Sequence, residues 1–224
     1  MPIPHALNFQ PLPHANSVFR RWPIQFAISN LRLAAARTLI FGAVAGACIT
    51  GRGWAPDSPM SMALESVGLL LLLVGAFGRV WCAVHIAGRK NKDLVAVGPF
   101  SVMRNPLYFF SMFAFIGAGF CFDSLALGAI FLAVFLLTHW PTILAEEKFL
   151  RGAFGASYEA YLARVPRFLP RMALYVPADE VTVGIRAFRR VLVEAACVPL
   201  AFLAAQGIEF AHQHRLLPTF LTLY

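Results

Sequence analysis

Apolar residues occur in long, uninterrupted blocks along this chain rather than in alternation with polar residues. A hydrocarbon core of about 30 Å is crossed by roughly 20 helical residues. Four blocks approach or exceed that length, at about 33–50, 63–87, 106–121 and 124–144. Because a membrane β-strand alternates apolar and polar positions, these continuously apolar blocks predict spanning helices instead.

A fifth apolar block, at about 188–210, is weaker than the other four. Glu194, Pro199 and Gln206 interrupt it. It predicts either a fifth spanning helix or an amphipathic helix that lies in the membrane plane. The fold class expected from all five blocks is therefore all-α, a polytopic membrane bundle of four to five transmembrane helices.

The composition agrees with a lipid environment. Of the 224 residues, 59% are hydrophobic and only 13% are charged, whereas about 25% are charged in ordinary soluble domains. The net charge of +8 does not indicate nucleic-acid binding, because the basic residues sort by membrane side rather than forming a soluble basic domain. We expect a multi-pass integral membrane protein, in a bacterial inner membrane, with membrane lipids as its surroundings and no nucleic-acid partner.

Basic residues fall in alternate connections between the blocks. Sixteen of the nineteen Lys and Arg residues lie in three places. They precede the second half of the first block, lie between the second and third blocks, or fall between Lys148 and Arg190 after the fourth block. Connections rich in Lys and Arg stay on the cytoplasmic side of a membrane. The N-terminus, the 88–105 connection and the 145–187 segment are therefore predicted to be cytoplasmic, where their charge also suits anionic lipid headgroups.

The chain divides into three predicted parts. Residues 1–30 form a cytoplasmic tail without the apolar core of a signal peptide, residues 31–171 form the membrane core, and residues 172–224 form a C-terminal extension that contains the fifth block. Each of the four cysteines lies alone within an apolar block. This spacing predicts buried apolar side chains and no metal site.

The start of the third block has the features of an anion-binding site. Asn105 is a favourable N-cap residue and Pro106 suits the first helical position. A helix start presents free N–H groups and a partial positive charge, and Arg104 adds a full one. This arrangement predicts a site for a carboxylate or phosphate. The alternative is that Asn105 only caps the helix and Arg104 only contacts lipid headgroups.

Two adjacent carboxylates, Glu146 and Glu147, follow the cytoplasmic end of the fourth block. They are candidates to hold an amine or a ribose hydroxyl of a ligand whose anionic end lies at the third block. The alternative is that they are solvated or paired with Lys148 and Arg151.

Three ionisable residues lie within the cytoplasmic thirds of the blocks, namely Arg79 and His85 in the second and His139 in the fourth. Such residues are costly in the bilayer and usually face the interior of the helix bundle. Arg79 also lies near enough to the membrane surface to extend toward it. A catalytic role and a structural hydrogen bond remain alternatives for both histidines.

Two segments of this sequence carry a recognisable pattern of residues. The segment 98–108 reads Gly-Pro-Phe-Ser-Val-Met-Arg-Asn-Pro-Leu-Tyr. It resembles the signature G-P-Y-x-x-x-R-H-P-x-Y of the isoprenylcysteine carboxyl methyltransferase family and its phospholipid methyltransferase relatives. Glu146 and Glu147, followed by Phe154-Gly155, Tyr158, Tyr161 and the Val-Pro-Arg-Phe-Leu-Pro of 165–170, resemble its second block. Together the matches span about 62–171, with a helical hairpin between them.

The resemblance implies a membrane enzyme that uses S-adenosylmethionine as cofactor and methylates a lipid-like or small amphiphilic acceptor at the cytoplasmic interface. The acceptor group is left open between a carboxylate, a thiol and an amine. The implied cofactor-binding residues are Gly98, Pro99, Arg104, Asn105, Pro106, Tyr108, Glu146 and Glu147. The catalytic candidates are Arg79 and Arg151, either of which would orient an anionic acceptor.

One residue departs from the family signature, because Asn105 stands where the family has histidine. Asparagine donates and accepts hydrogen bonds but does not titrate, so proton transfer at this position is excluded. Two other functions remain open. One is an NADPH-dependent membrane reductase of the steroid-reductase type, although Phe110 stands where that class usually has glutamate. The other is a non-catalytic relative.

Overall fold

The computed structural model describes residues 58–89 and 93–217, together with positions 42, 45, 50–52, 54–55 and 221–223. The predicted tail at 1–30 and nearly all of the predicted helix at 33–50 lie outside the described residues. The helices in the described part are α1 (Pro59–Ile86), α2 (Pro99–Val102), α3 (Pro106–Phe120), α4 (Leu125–Phe154), α5 (Ala156–Arg164), α6 (Ile185–Ala196) and α7 (Val198–Gln213).

The prediction of helices at 63–87, 106–121 and 124–144 is confirmed. Ser58 and Ser124 start α1 and α4, because each serine hydroxyl accepts a hydrogen bond from the backbone N–H three residues on. The α4 helix continues through Pro141 and carries Glu146 and Glu147 on its last turns. Besides these helices, the described residues contain a 3₁₀ turn at Met172–Leu174 and a parallel pairing of β1 (Thr50–Arg52) with β2 (Leu221–Leu223).

In the described part of the chain, α1 and α4 are long and apolar enough to cross a bilayer. α3 is shorter, with 15 residues. Apolar side chains on the outer faces of the long helices are strongly exposed, such as Phe77 at 71% and Leu137 at 73%. Patches of this kind are unfavourable in water and are solvated by lipid acyl chains.

Small residues allow α3 to approach both of its neighbours closely. A Cβ atom added to Gly117 of α3 would lie 2.6 Å from the carbonyl oxygen of Gly68 on α1. One added to Gly119 would lie 2.5 Å from the Cα of Gly128 on α4. Glycines at helix contacts are typical of membrane bundles, where close backbone packing replaces the hydrophobic effect. α1, α3 and α4 therefore form a tight three-helix unit.

The fifth apolar block, 188–210, forms two helices rather than one. α6 ends at Ala196 and α7 begins at Val198, with Cys197 between them. Pro199 lacks the N–H group that would continue the helix hydrogen bonding, which accounts for the break. The prediction of one continuous helix over this block is therefore wrong.

α6 and α7 follow α1 in the opposite direction. The N–H of Gly184 donates to the carbonyl oxygen of Ala87 at 2.8 Å, at the C-terminal end of α1. Gln206 of α7 donates to Glu65, near the N-terminal end, at 3.2 Å. Between these ends, Ala205 packs in one cluster with Leu72 of α1. The contacts cover nearly the full length of α1.

Candidate functional site

The two segments that carry the sequence motifs lie side by side. The N–H of Gly98 donates to the carbonyl oxygen of Val176 at 2.8 Å, and that of Arg171 to Val102 at 2.9 Å. The N–H of Arg104 donates to Pro166 at 2.8 Å. The residue numbers rise along one segment as they fall along the other, so the segments are antiparallel. This contact covers the end of α1 and leads into the start of α3.

Gly98 is required where this contact begins. Its φ of +58° lies in the left-handed region, which residues with a Cβ rarely adopt. A Cβ atom there would also lie 2.2 Å from Nε2 of His85. The buried His85 ring therefore packs against the Gly98 backbone, and its Nδ1 lies 2.9 Å from the carbonyl oxygen of Trp81. This packing agrees with a structural role for His85, which was the alternative to a catalytic one.

Glu147 is the centre of the polar network at this position. Only 9% of the residue is exposed. Arg167 donates from Nε at 3.1 Å and from Nη2 at 2.9 Å to its carboxylate, and Asn105 donates from Nδ2 at 3.0 Å. Arg104 completes the set with Nη1 at 3.5 Å. Two guanidinium groups and an amide thus neutralise one buried carboxylate, as burial of a charge demands.

Asn105 has the predicted position but not the predicted side-chain role. α3 begins at Pro106 directly after it, as expected, but the Asn105 side chain makes no capping hydrogen bond. Instead its Nδ2 donates both hydrogens away from the helix, to Glu147 and to the carbonyl oxygen of Arg167 at 3.2 Å. The Asn105 side chain therefore leaves the N–H groups of the first turn of α3 uncapped, so the helix start can still bind an anion.

A pocket lies between the start of α3 and the last turns of α4. It encloses about 820 Å³ including the space at its mouth. Five of the predicted cofactor-binding residues line it, namely Arg104, Asn105, Pro106, Tyr108 and Glu146. Its other walls are mainly apolar or aromatic, with Phe100 from α2, Phe149 and Leu150 from α4, and Tyr158 and Tyr161 from α5.

The comparison with known proteins agrees with this geometry. The model of the phospholipid methyltransferase family matches residues 65–157, which include most of α1, all of α3 and α4, and most of the residues that line the pocket. A nickel-cobalt-cadmium resistance protein of Alcaligenes xylosoxydans xylosoxydans is 31% identical over 201 residues, which are 90% of this chain and 93% of that protein. The chain belongs to the phospholipid methyltransferase family. The resemblance predicted from the two motif segments is confirmed.

A second relative has a related name. A cobalt-zinc-cadmium resistance protein of Cupriavidus metallidurans is 33% identical over 166 residues, covering 74% of this chain and 75% of that protein. No solved structure matches the chain. Within residues 58–89 and 93–217, no group of three or more His, Cys, Asp or Glu side chains is arranged to hold a metal ion.

The remaining predicted residues lie around the pocket of this family member rather than on its wall. Gly98 and Pro99 are buried in the segment that supports the start of α3. Arg79 of α1 donates to Ser111 of α3 at 2.6 Å and pairs with Glu194 of α6. Arg151 is 59% exposed and pairs with Glu159 of α5. Neither Arg79 nor Arg151 lines the pocket.

Several site residues were not assigned from sequence. Arg167, Tyr158 and Tyr161 all lie in the second motif segment, which was the signal that could have identified them. The Tyr161 hydroxyl donates to the carbonyl oxygen of Phe100 at 2.7 Å. Burial, reinforced by the nearby Glu147 carboxylate, raises the pKa of Tyr158 to about 12. Both tyrosines therefore stay neutral at physiological pH and form the uncharged end of the pocket.

Glu147→Gln should lower the stability of the detergent-purified protein by about 1.5–3 kcal/mol, the range for hydrogen bonds to charged groups. The loss arises because Arg104 and Arg167 would then share a site without a countercharge. Thermal unfolding measures it. Glu159→Gln is the matched control, since Glu159 and Arg151 form an exposed pair of little energetic value. Equal melting temperatures for the two variants would contradict the central role of Glu147.

Proposed function

We propose that this protein transfers the methyl group of S-adenosylmethionine to a lipid-like or small amphiphilic acceptor at the cytoplasmic face of the membrane. The observation that carries the proposal is the pocket at the start of α3. It combines a positively charged end, a carboxylate and aromatic walls on helices of a phospholipid methyltransferase family member. Those are the groups that the charged and apolar parts of the cofactor require.

The positive end of the pocket suits the methionyl carboxylate of the cofactor. Arg104 uses Nε to donate to the carbonyl oxygen of Val165 at 2.8 Å, and Nη1 to approach Glu147. Within the described part of the chain its Nη2 has no hydrogen-bond partner. The first turn of α3, which the Asn105 side chain does not cap, adds its N–H groups and partial positive charge to the same position.

Glu146 is the proposed partner of the cofactor's ammonium group or ribose hydroxyls. It lines the pocket, whereas the neighbouring Glu147 is buried and already holds Arg167 and Asn105. The sequence alone does not distinguish the two carboxylates. We therefore assign ligand contact to Glu146 and positioning of Arg104 and Asn105 to Glu147. Tyr108 and Phe149 are the proposed aromatic and apolar contacts of the adenine ring.

The cofactor supplies an activated methyl group on a sulfonium, and the protein's task is alignment. Displacement at the methyl carbon requires the nucleophile on the side opposite sulfur, with water excluded. The aromatic side chains of α2 and α5 line the pocket, and we assign to them the exclusion of water from it. We assign the acceptor to the α3–α4 side rather than to Arg79 or Arg151, because both arginines are paired with carboxylates elsewhere.

Binding of S-adenosylhomocysteine, measured by calorimetry on detergent-purified protein, tests this assignment. Arg104→Ala and Glu146→Gln should each weaken binding by about 1–3 kcal/mol, through loss of one charge-assisted hydrogen bond. Glu159→Gln on the exposed side of α5 is the control and should bind as wild type. Tight NADPH binding without S-adenosylhomocysteine binding would contradict the proposal and favour the reductase class.

We also propose that the chain crosses the membrane several times, with a cytoplasmic N-terminus and with α6 and α7 as one broken spanning unit. Their contacts run along α1 from Ala87 to Glu65, a helix length of about 33 Å, comparable to a hydrocarbon core. The pairing of β2 with β1 supports this, since β1 precedes α1 on the predicted outer side.

Reporter fusions test the crossing of α6 and α7. Alkaline phosphatase fused after residue 224 should be active, because an odd number of crossings from a cytoplasmic N-terminus places the C-terminus outside. A green fluorescent protein fused after residue 170 should fluoresce in the cytoplasm and serves as the control. An inactive phosphatase at residue 224, with a fluorescent protein bright at the same position, would instead indicate a helix pair in the membrane plane.

The names of the two relatives connect this enzyme with metal tolerance. We propose that methylation of its membrane acceptor lowers the binding of nickel, cobalt, zinc or cadmium ions at the cell envelope. Thiolates, carboxylates and neutral amines are metal ligands. Methylation turns a thiolate into a thioether, turns a carboxylate into an ester, and blocks coordination by an amine once it is quaternary.

Growth of a deletion strain in graded concentrations of cadmium, cobalt, nickel and zinc salts tests the connection. The wild-type gene should restore tolerance, and Arg104→Ala, which weakens the proposed cofactor site, should restore less of it. Glu159→Gln is the control and should restore it. Full restoration by Arg104→Ala, at matched protein levels in the membrane, would show that tolerance does not depend on methyl transfer.

A further inference from the structure

The pocket has a second carboxylate on its wall besides that of Glu146. Asp93, in the connection between α1 and α2, lines the pocket together with Leu94 and Val95. It lies outside both motif segments, which is why no sequence pattern identified it. Among the described residues of the pocket wall, the charged ones are Arg104, Glu146 and Asp93. A ligand therefore meets one cationic and two anionic side chains.

Contacts on both sides of Asp93 hold it at the pocket. Its N–H donates to the carbonyl oxygen of Arg89 at 3.1 Å, and Arg89 donates from Nε to Oδ2 of Asp93 at 3.2 Å. On the other side, Leu94 is buried in one cluster with Tyr158 and Tyr161 of α5. The backbone at Asp93 is thus anchored both to the end of α1 and to α5.

The Asp93 carboxylate keeps most of its hydrogen-bonding capacity. A carboxylate offers about four acceptor positions on its two oxygens. Arg89 occupies one position on Oδ2, and Oδ1 accepts no hydrogen bond from the residues that the structure describes. The ion pair with Arg89 is partly exposed, with 42% of the Asp93 side chain accessible. Such a pair is of little energetic value, so it competes only weakly with a ligand.

The connectivity of S-adenosylmethionine limits which of its groups each carboxylate can reach. The cofactor has a carboxylate and an ammonium group on one carbon atom, then the sulfonium, then a neutral ribose with two adjacent hydroxyls. With its carboxylate at Arg104, its ammonium group must also lie near Arg104. Glu146 is at this end of the pocket, since the neighbouring Glu147 lies 3.5 Å from Nη1 of Arg104. Asp93 is then available to the rest of the cofactor.

Exposure to solvent distinguishes the ribose from the sulfonium as the partner of Asp93. The sulfonium carries the reacting methyl group, and methyl transfer requires that water be excluded from it. Ribose hydroxyls are polar and tolerate solvent. A carboxylate with 42% of its side chain exposed therefore suits the ribose. Its two oxygens can accept from both hydroxyls at once, with charge-assisted hydrogen bonds.

We propose that Asp93 accepts hydrogen bonds from the two ribose hydroxyls of S-adenosylmethionine, which leaves Glu146 to bind the ammonium group. This inference rests on the proposed methyltransferase function and assigns contacts within the same pocket. Asp93 binds the cofactor and takes no part in the transfer of the methyl group. By holding the sugar it helps to position the sulfonium, which is bonded to that sugar, for in-line displacement.

Calorimetry on the detergent-purified full-length protein tests this with three ligands. They are S-adenosylhomocysteine, its dideoxy analogue without the ribose hydroxyls, and its deamino analogue without the ammonium group. Asp93→Ala should weaken binding of S-adenosylhomocysteine and of the deamino analogue by about 10–100-fold, the range for hydrogen bonds to a charged group. It should not change the affinity for the dideoxy analogue, which wild type itself should bind more weakly. Glu146→Gln should show the reverse pattern with the two analogues.

Two variants serve as controls. Asp179→Ala removes an exposed carboxylate that does not line the pocket, and it should bind all three ligands as wild type does. Arg89→Gln removes the partner of Asp93 but keeps the Asp93 carboxylate. It should bind S-adenosylhomocysteine within about fivefold of wild type, because an exposed pair contributes little. Asp93→Asn keeps the size of the side chain and repeats the comparison, so that a folding defect in Asp93→Ala does not decide it.

Several results would overturn the inference and leave the proposed function standing. One is equal affinity of wild type and Asp93→Ala for S-adenosylhomocysteine, and another is an equal loss with the dideoxy analogue. A loss in Arg89→Gln as large as that in Asp93→Ala would assign the effect to the ion pair. A larger loss for S-adenosylmethionine than for S-adenosylhomocysteine would place Asp93 at the sulfonium. Absence of S-adenosylhomocysteine binding by wild type would overturn the proposed function itself.

Discussion

The buried carboxylate of Glu147 must be neutralised, and the arrangement of the site follows from how this is done. A charge with 9% exposure is strongly unfavourable unless it is paired and hydrogen-bonded. Its partners come from two distant parts of the chain, Arg104 and Asn105 before α3 and Arg167 after α5. Satisfying one carboxylate therefore joins the end of α4 to both motif segments. The same polar network around Glu147 fixes the direction in which α3 enters the bundle. It also keeps the start of α3 beside the last turns of α4.

The polar network around Glu147 gives the adjacent carboxylates of Glu146 and Glu147 different roles. Glu147 points into the network and is neutralised within the protein, whereas Glu146, one residue earlier, lines the pocket. Arg104 is likewise held by Val165 and Glu147 at two of its nitrogens. Under the proposed function, a ligand with separated negative and positive groups would meet side chains whose orientation is set before it binds. Such preorganisation lowers the cost of ordering upon binding, and it suits a reaction in which alignment is the protein's main contribution.

The three central helices and the place of the candidate pocket could be predicted from sequence, because both depend on local patterns. The apolar blocks predict the three central helices, and Asn105-Pro106 predicts the start of α3. Three features could not be predicted, because they depend on partners far away in sequence. The Asn105 side chain leaves its own helix for Glu147 and Arg167, and nothing local distinguishes Glu146 from Glu147. The block at 188–210 resembled a single helix because its apolar residues continue across the break at Cys197.

The central claim is that a methyl donor binds between the start of α3 and the last turns of α4. A structure of the full-length protein with S-adenosylhomocysteine, determined in lipid nanodiscs, tests this most directly. The account predicts the methionyl carboxylate at Arg104 and the first turn of α3. It also predicts the ammonium group or ribose within hydrogen-bond distance of Glu146, with Glu147 still bound to Arg167. A ligand bound elsewhere, or a Glu147 carboxylate that leaves Arg167 to bind the ligand, would contradict it.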